Sequence, residues 1–140
     1  MKKEMKMEFS SQSENEGFAR VAVGAFIACT NPTVDELADI KTAVSEAVTN
    51  AIIHGYEQRG GKIWITCEVA DQNVEISVID TGRGIADIDK AREPLYTTKP
   101  ELERSGMGFT FMEAFMDEVL VASSPGQGTR VILKKRIGKA

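Results

Sequence analysis

The N-terminal part of the chain shows one alternating stretch of apolar and charged residues, followed by a stretch with helical spacing. Met5, Met7 and Phe9 alternate with charged neighbours, a pattern typical of a short edge strand. The segment 13–16, Ser-Glu-Asn-Glu, has the sequence of a capping box and predicts the start of a helix that ends before Pro32. The apolar residues of this helix recur at helical intervals and predict one buried stripe, made up of Phe18, Val21, Ala22, Ala25 and Cys29.

A second capping box, at Thr33–Glu36, opens a longer predicted helix that runs to Gly55. The predicted buried stripe of this helix consists of Leu37, Ile40, Val44, Val48 and Ala51. The apolar period then changes to two. Residues 63–69 and 74–79 therefore predict the two strands of a hairpin, joined by a turn at Asp71–Asn73.

Residues 81–105 show no sustained periodicity and are rich in Gly, Pro, Thr and charged residues. A stretch of about 25 residues without regular structure is uncommon in a compact domain, and we expect it to be a lid over a site. A third helix is predicted over 107–116, and strands over 119–123 and 129–135 close the chain. This order predicts a single domain over residues 1–140: an α+β two-layer sandwich with a mixed sheet and helices on one face.

Composition and charge limit the possible classes of protein. The 140 residues are 42% hydrophobic and 27% charged, which supports one core and excludes wholesale disorder. No apolar run approaches the roughly 20 residues of a membrane span, and the charged start does not resemble a signal peptide, so we expect a cytoplasmic protein. The net charge of −4 argues against nucleic acid as a direct partner. Cys29 and Cys67 lack metal or disulfide spacing and are predicted to be small core residues.

The second predicted helix carries three polar side chains at intervals of four residues. Glu46, Asn50 and His54 would share one helix face, offset from the buried stripe. A carboxylate and a carboxamide one turn apart could serve as a general base and a ligand for a hard metal ion. The alternative interpretation, which these three residues alone favour, is a polar outer face of the helix.

Three glycine-rich segments follow. Asp80-Thr-Gly-Arg-Gly84 places a carboxylate at the end of an apolar strand, where glycines allow close approach of a ligand. Ser105-Gly-Met-Gly108 opens a predicted helix, whose N-terminal N–H groups suit a phosphate. Gly126-Gln-Gly-Thr129 by itself indicates only a hairpin turn.

Taken together and in this order, these segments resemble the nucleotide-binding boxes of the GHKL ATPases. Within that superfamily the chain is similar over essentially its whole length to the bacterial anti-sigma factor serine kinases. Three runs carry this narrower resemblance: SEAVTNAIIHGY, PLYTTKPELERSGMGFTFME and DEVLVASSPGQGT.

The resemblance implies ATP as the nucleotide and Mg²⁺ as the metal. By its position in the family pattern, Asn50 would coordinate Mg²⁺ and Glu46 would be the general base that takes a proton from a serine hydroxyl. Asp80 would accept a hydrogen bond from the adenine amino group, and Thr129 would support it. Gly82 and Gly84 would leave room for the base.

The resemblance also assigns the phosphate end of the site. Arg104 would reach the γ-phosphate and act in catalysis by neutralising charge during transfer. The remaining residues that we expect to bind ATP are His54, Thr97, Thr98, Lys99, Ser105, Gly106, Gly108 and Phe109.

The family further implies protein partners. Such proteins are homodimers that bind a sigma factor, here of the sporulation (sigma F) type, and phosphorylate an anti-anti-sigma protein. Arg20 matches the partner-binding position, and the apolar face of Met5, Met7 and Phe9 is interpreted as a dimer interface rather than core. Two alternatives stay open: a kinase of the stress-response (sigma B) type, and a non-catalytic module in which ATP gates sigma binding.

Overall fold

Five strands form one sheet in the computed structural model, which describes residues 2–93 and 108–138. The strands are β1 (Lys2–Ser10), β2 (Lys62–Ala70), β3 (Asn73–Asp80), β4 (Glu118–Ser123) and β5 (Thr129–Arg136). Their order across the sheet is β1-β2-β3-β5-β4. The predicted hairpin is confirmed as β2 and β3, with Ala70 opposite Asn73 and Asp71 in the left-handed region at φ 56°.

All four neighbouring strand pairs among the described strands are antiparallel, so the predicted mixed sheet is wrong. The reason lies in the topology. β3 and β4 run in the same direction, as strands joined through a single crossover usually do, but β5 lies between them and is antiparallel to both. The two parallel strands therefore never touch.

The helices are α1 (Glu14–Ile27), α2 (Val34–Asn50), α3 (Ile88–Ala91) and α4 (Gly108–Phe115). A 3₁₀ turn, Ala28–Thr30, follows α1, and a π turn, Ala51–Gly55, follows α2. α2 packs between α1 and α4. Alternate residues of β2 and β3 are buried beneath the helices. The predicted α+β two-layer sandwich is confirmed, with its core between these helices and the sheet.

The predicted buried stripe of α1 is wrong. Phe18 and Val21 are 60% and 61% exposed, and Ala25 and Cys29 are also exposed. The buried residues are instead Ala19, Val23, Gly24 and Ile27. This helix is apolar around most of its circumference, so periodicity alone does not select a face. The face with small residues is the buried one, because Gly24 lets the Leu37 and Lys41 side chains of α2 approach closely.

The two predicted capping boxes have opposite outcomes. At α2 the Glu36 N–H donates to Thr33 Oγ1 at 3.0 Å, and the Thr33 N–H donates to Glu36 Oε1 at 2.9 Å, as predicted. At α1 the prediction is wrong, because Ser13 has helical backbone angles and makes no capping bond through its side chain. Asn15 instead ties this end of the helix to Ser10, donating to its carbonyl at 2.8 Å.

Three smaller predictions are also corrected. Residues 81–93 of the predicted lid contain the one-turn helix α3, capped by the Asp87 side chain, and residues 94–107 lie outside the described part of the chain. Cys29 is exposed, whereas Cys67 is buried as predicted, and burial raises the pKa of its thiol to about 12. The apolar face of β1 was expected to be a dimer interface rather than core, but Phe9 belongs to the core and the half-buried Met5 and Met7 pack against it, so this face contributes to the core.

The predicted helix to Gly55 continues to that residue, but its last turn is π rather than α. The Tyr56 N–H bonds to the Ala51 carbonyl, five residues back, at 3.0 Å. Among the helices in residues 2–93 and 108–138, none is long and apolar enough to cross a membrane.

Candidate functional site

The end of α2 carries the three predicted polar residues, and the structure places them at the rim of the core. Glu46, Asn50 and His54 are all half-buried. Glu46 and Asn50 lie one α-helical turn apart, and His54 follows in the π turn. Widened π turns inside helices are frequent at functional sites.

Asp80 is the last residue of β3 and is only 5% exposed. Its carboxylate accepts hydrogen bonds from the Gly82 N–H, at 2.9 Å, and from the Thr129 backbone N–H. Burial raises the pKa of this carboxyl group, and the two N–H donors oppose that rise without cancelling it. The sequence predicted Asp80 and Thr129 to act together, and the antiparallel pairing of β3 with β5 places them directly opposite each other.

The π turn contacts the strand end at Asp80 through two glycines. A Cβ atom at Gly55 would lie 2.9 Å from Asp80 Oδ1, and one at Gly82 would lie 2.1 Å from the Gly55 carbonyl oxygen. The Gly55 carbonyl accepts a hydrogen bond from the Arg83 N–H at 2.9 Å. Gly82 is therefore required by contact with the protein's own backbone, whether or not a ligand also needs the space.

The hairpin between β4 and β5 forms the other wall of the cluster. Gly84 has φ 77°, and a Cβ atom there would lie 2.0 Å from the Ser124 carbonyl oxygen. Gly128 has φ 76°, and a Cβ atom there would lie 2.1 Å from the Asp80 carbonyl oxygen. Only glycine satisfies both the positive φ and the close contact. The hairpin turn, which suggested nothing further by itself, thus lies directly against Asp80.

Sequence reasoning missed Ser123. Its hydroxyl donates to the Gly128 carbonyl at 2.7 Å, accepts from the Ile85 N–H at 2.8 Å and lies 2.9 Å from Thr129 Oγ1. It thereby joins the loop after β3 to the start of β5. The signal was available in principle, because the predicted hairpin places Ser123 opposite Thr129.

Tyr56 was also missed. Its hydroxyl bonds to Thr81, the residue after Asp80, and to the carbonyl of Lys62. No local pattern marks this role of the tyrosine, because Thr81 lies 25 residues further along the chain.

The other predicted residues divide into three groups. Gly108 and the buried Phe109 begin α4, which packs against α2. Arg20 lies on α1, outside this cluster, with its guanidinium 3.8 Å from Glu16. The remaining predicted residues fall outside the described part of the chain: Thr97, Thr98, Lys99, Arg104, Ser105 and Gly106. Within residues 2–93 and 108–138, no group of three or more His, Cys, Asp or Glu side chains could hold a metal ion.

Comparisons with known proteins identify the family of this chain. Residues 9–135 match the family model of the histidine kinase-like ATPase domain. The chain is 60% identical to the anti-sigma F factor of Halalkalibacterium halodurans and 58% identical to that of Bacillus subtilis, in both cases over 100% of this chain and 97% of the relative. It is 61% identical to the anti-sigma F factor of Clostridium botulinum over 94% of this chain and 93% of the relative.

A solved structure has a similar fold. The crystal structure of the RsbU and RsbW domains of Rv1364c from Mycobacterium tuberculosis matches 96% of this chain and 32% of that chain, with a TM-score of 0.67. At 22% sequence identity, this match bears on the fold alone.

Proposed function

We propose a function from one premise: the chain belongs to the histidine kinase-like ATPase domain family and, within it, to the anti-sigma F factors. The chain binds and inhibits a sigma factor of the sigma F type. It is also an ATP-dependent serine kinase. Its protein substrate would be the anti-anti-sigma factor that opposes it, inactivated by phosphorylation. The observation that carries the nucleotide site is the buried carboxylate of Asp80, enclosed by the π turn after α2 and by the β4–β5 hairpin.

Asp80 is the proposed acceptor for the adenine amino group. A carboxylate offers only acceptor atoms when ionised, and the amino group is a donor. The N–H groups of Gly82 and Thr129 fix the orientation of the carboxylate. Ser123 in turn holds Thr129 through the contact between their hydroxyls. Specificity for adenine would therefore come from a rigid acceptor at the end of β3, with Gly82 and Gly84 allowing the loop after it to pack against the Gly55 and Ser124 backbone.

The proposed metal ligand is Asn50. A carboxamide oxygen is a hard donor of the kind that Mg²⁺ accepts, and Mg²⁺ commonly takes few protein ligands and fills its other positions with phosphate oxygens and water. The absence of an acidic cluster in the described residues is compatible with that mode of binding. Mg²⁺ held by Asn50 would offset the negative charge of the phosphates.

Glu46, one turn before Asn50, is the proposed general base. It would accept the proton of the substrate serine hydroxyl as the serine oxygen attacks the γ-phosphorus. The bond between the γ-phosphorus and the bridging oxygen then breaks, and ADP leaves with that oxygen. Glu46 is half-buried at the rim of the core, where a carboxylate can meet both nucleotide and protein substrate.

The start of α4 is the proposed site for the phosphates. N–H groups and the positive end of the helix dipole suit anions, and Gly108 begins this helix. Gly106, Ser105 and the Phe109 backbone would lie on the same phosphates. Four residues of the predicted lid would complete the site, with Arg104 on the γ-phosphate: Thr97, Thr98, Lys99 and Arg104. The family resemblance supports these assignments.

The exposed part of α1 around Arg20 is the proposed partner surface. Phe18 and Val21 are also exposed on this helix, but on another side of it, because residues one or two positions apart do not share a helix face. The support for Arg20 is therefore the family resemblance. We propose a homodimer from the family resemblance alone, since the apolar face of β1 belongs to the core.

Capture of the sigma factor tests this surface. Immobilised sigma F should retain the wild-type protein in the presence of ATP and Mg²⁺. Arg20→Glu should bind at least about 10-fold more weakly, because it places a negative charge where the partner surface would be complementary to a positive one. Arg59→Glu, at an exposed arginine in the loop before β2, is the matched control and should bind like the wild type.

ATP affinity is measured on the same variants. We expect it to be unchanged in Arg20→Glu, since α1 lies outside the cluster around Asp80. Equal sigma binding by Arg20→Glu and the wild type, or loss of ATP binding in Arg20→Glu, would contradict the assignment of this surface.

A further inference from the structure

Tyr56 joins the end of the π turn to the end of β3. Its hydroxyl accepts a hydrogen bond from the Thr81 N–H at 2.8 Å and lies 3.1 Å from Thr81 Oγ1. It also donates to the Lys62 carbonyl oxygen at the start of β2. A tyrosine hydroxyl has one donor proton and two acceptor lone pairs, so these three contacts use its whole capacity.

The ring of Tyr56 is also in close contact with its surroundings. Gly61 lies against it so closely that a Cβ atom at position 61 would be 2.5 Å from the nearest ring carbon. The Arg59 N–H bonds to the Tyr56 carbonyl at 2.9 Å. Between these residues, Glu57 and Gln58 both have positive φ, at 52° and 62°. Non-glycine residues adopt that conformation only where their surroundings enforce it.

The contacts of Tyr56 lie directly beside those of Asp80. Gly55 packs against the Asp80 carboxylate and accepts from the Arg83 N–H, while the next residue, Tyr56, binds Thr81. Gly55, the last residue of the π turn, and Tyr56, the residue after it, thus contact the chain directly around the Asp80 carboxylate. Gly55 cannot hold it through a side chain, so the side-chain bonds to Thr81 come from the tyrosine.

We propose that Tyr56 is a positioning residue for nucleotide recognition: it sets the direction in which the Asp80 carboxylate faces the purine, and so determines selectivity for adenine. This inference rests on the proposed role of Asp80. A hydrogen bond to the amino group weakens steeply as its angle departs from linearity, whereas apolar contact with a base tolerates small shifts. Loosening Thr81 should therefore affect the amino contact more than the rest of nucleotide binding.

ATP and inosine triphosphate (ITP) distinguish positioning from simple stabilisation. ITP has a carbonyl oxygen where ATP has the amino group, so at that position it presents an acceptor to the Asp80 carboxylate in place of a donor. A purely structural tyrosine would change the affinities for both nucleotides by the same factor. A positioning tyrosine would change mainly the affinity for ATP. Without its hydroxyl, the selectivity ratio, defined as the Kd for ITP divided by the Kd for ATP, would fall.

The experiment is calorimetric titration of the full-length protein with ATP and with ITP, each with Mg²⁺. Tyr56→Phe removes the hydroxyl and keeps the ring. We expect the ATP affinity to fall about 3- to 10-fold, as for the loss of one hydrogen bond, and the ITP affinity to change less than about 2-fold. Trp64→Phe is the matched control, since it removes the bond from Trp64 Nε1 to Glu8 elsewhere in the sheet. Its Kd for ITP divided by its Kd for ATP should equal the wild-type ratio.

Each outcome decides between the two levels of the proposal. A wild type that binds ATP no better than ITP overturns the role of Asp80, and the positioning role of Tyr56 with it. A selective wild type and an unchanged ratio in Tyr56→Phe overturn the positioning role alone. If Tyr56→Phe does not fold, Thr81→Ala removes the hydroxyl contact with Tyr56 and should lower the ratio by a smaller factor; an unchanged ratio in Thr81→Ala overturns the proposal equally.

Discussion

At the scale of the single residue, Asp80 is under two opposing influences. Burial at the end of β3 favours its neutral form, while the N–H groups of Gly82 and Thr129 favour the carboxylate. Burial prevails, so its pKa is raised above the ordinary value of an aspartate. A carboxylate kept ionised in this position at neutral pH costs the protein stability, which is the expected arrangement where a binding group is held ready for a ligand.

Asp80→Asn should therefore change two properties that can be measured separately: the pH dependence of the free energy of unfolding, and the affinity for ATP. A raised native pKa means that the stabilising effect of the proton is complete below about pH 3.8 and is lost as the pH rises through the native pKa. The free energy of unfolding of the wild type, measured relative to Asp80→Asn by urea denaturation, should fall over that range and then stay level. A difference that rises with pH would contradict the raised pKa.

The same variant should bind ATP more weakly. The amide would present a donor or a poorer acceptor to the adenine amino group, and an unpaired buried polar group typically costs about 1–3 kcal/mol. Calorimetric titration near neutral pH should show this loss, and unchanged ATP affinity would remove Asp80 from adenine recognition.

The sequence indicated the residues of this cluster whose signal is local. Asp80 follows an apolar strand and precedes two glycines, and Thr129 begins the last strand. Ser123 and Tyr56 could not be found in this way, because their roles depend on strand register and on a π turn. Gly82 and Gly84 were identified from the motif, but the backbone contacts that require glycine there exist only in the folded chain.

At the scale of the element, α1 and α2 show how far a local motif determines structure. Both begin with a Ser or Thr followed three residues later by Glu, yet only Thr33 and Glu36 form the reciprocal bonds. Glu36 has a second partner, the Gly138 N–H at 2.9 Å, which ties the start of α2 to the chain after β5. The Thr33 and Gly138 N–H groups lower the pKa of Glu36. At α1, Asn15 bonds back to Ser10, and the box does not form.

This difference predicts unequal effects of two matched substitutions. Thr33→Ala removes an acceptor from the Glu36 N–H and should lower the free energy of unfolding by about 1 kcal/mol, within the usual range of 0.5–2. Ser13→Ala removes a hydroxyl that makes no capping bond and should cost less than about 0.5 kcal/mol. Urea denaturation of both variants measures the difference. Equal losses would show that Thr33 does not act as a cap.

The buried face of α1 was mispredicted for a related reason. Periodicity identifies an apolar stripe, but a helix with apolar residues on most sides has more than one. The choice was made by the small residues Ala19 and Gly24, which allow α2 to approach. The larger side chains Phe18 and Val21 were left at the surface.

At the scale of the whole molecule, the site is assembled by topology. The end of β3, the hairpin between β4 and β5 and the turn after α2 are distant in sequence, and the antiparallel insertion of β5 beside β3 brings them together. The order of the elements followed from the sequence patterns, except for the one-turn helix α3. The all-antiparallel pairing did not, because periodicity states which residues are buried and does not state which strands are neighbours.

The central claim is that this assembly transfers phosphate from ATP to a serine, with Glu46 as the base. The most direct measurement is the rate of ³²P transfer from γ-labelled ATP to the anti-anti-sigma factor, compared for the wild type, Glu46→Gln and Asp39→Asn. Asp39 is a second carboxylate on α2, placed 4.0 Å from Lys135 and away from the cluster, and so serves as the matched control.

We expect the wild type and Asp39→Asn to label a serine of the substrate at similar rates. Glu46→Gln should be slower by about 100-fold or more, within the range found for the loss of a general base, while its ATP affinity stays near that of the wild type. No labelling of the substrate by the wild type, or transfer by Glu46→Gln at the wild-type rate, would contradict the account.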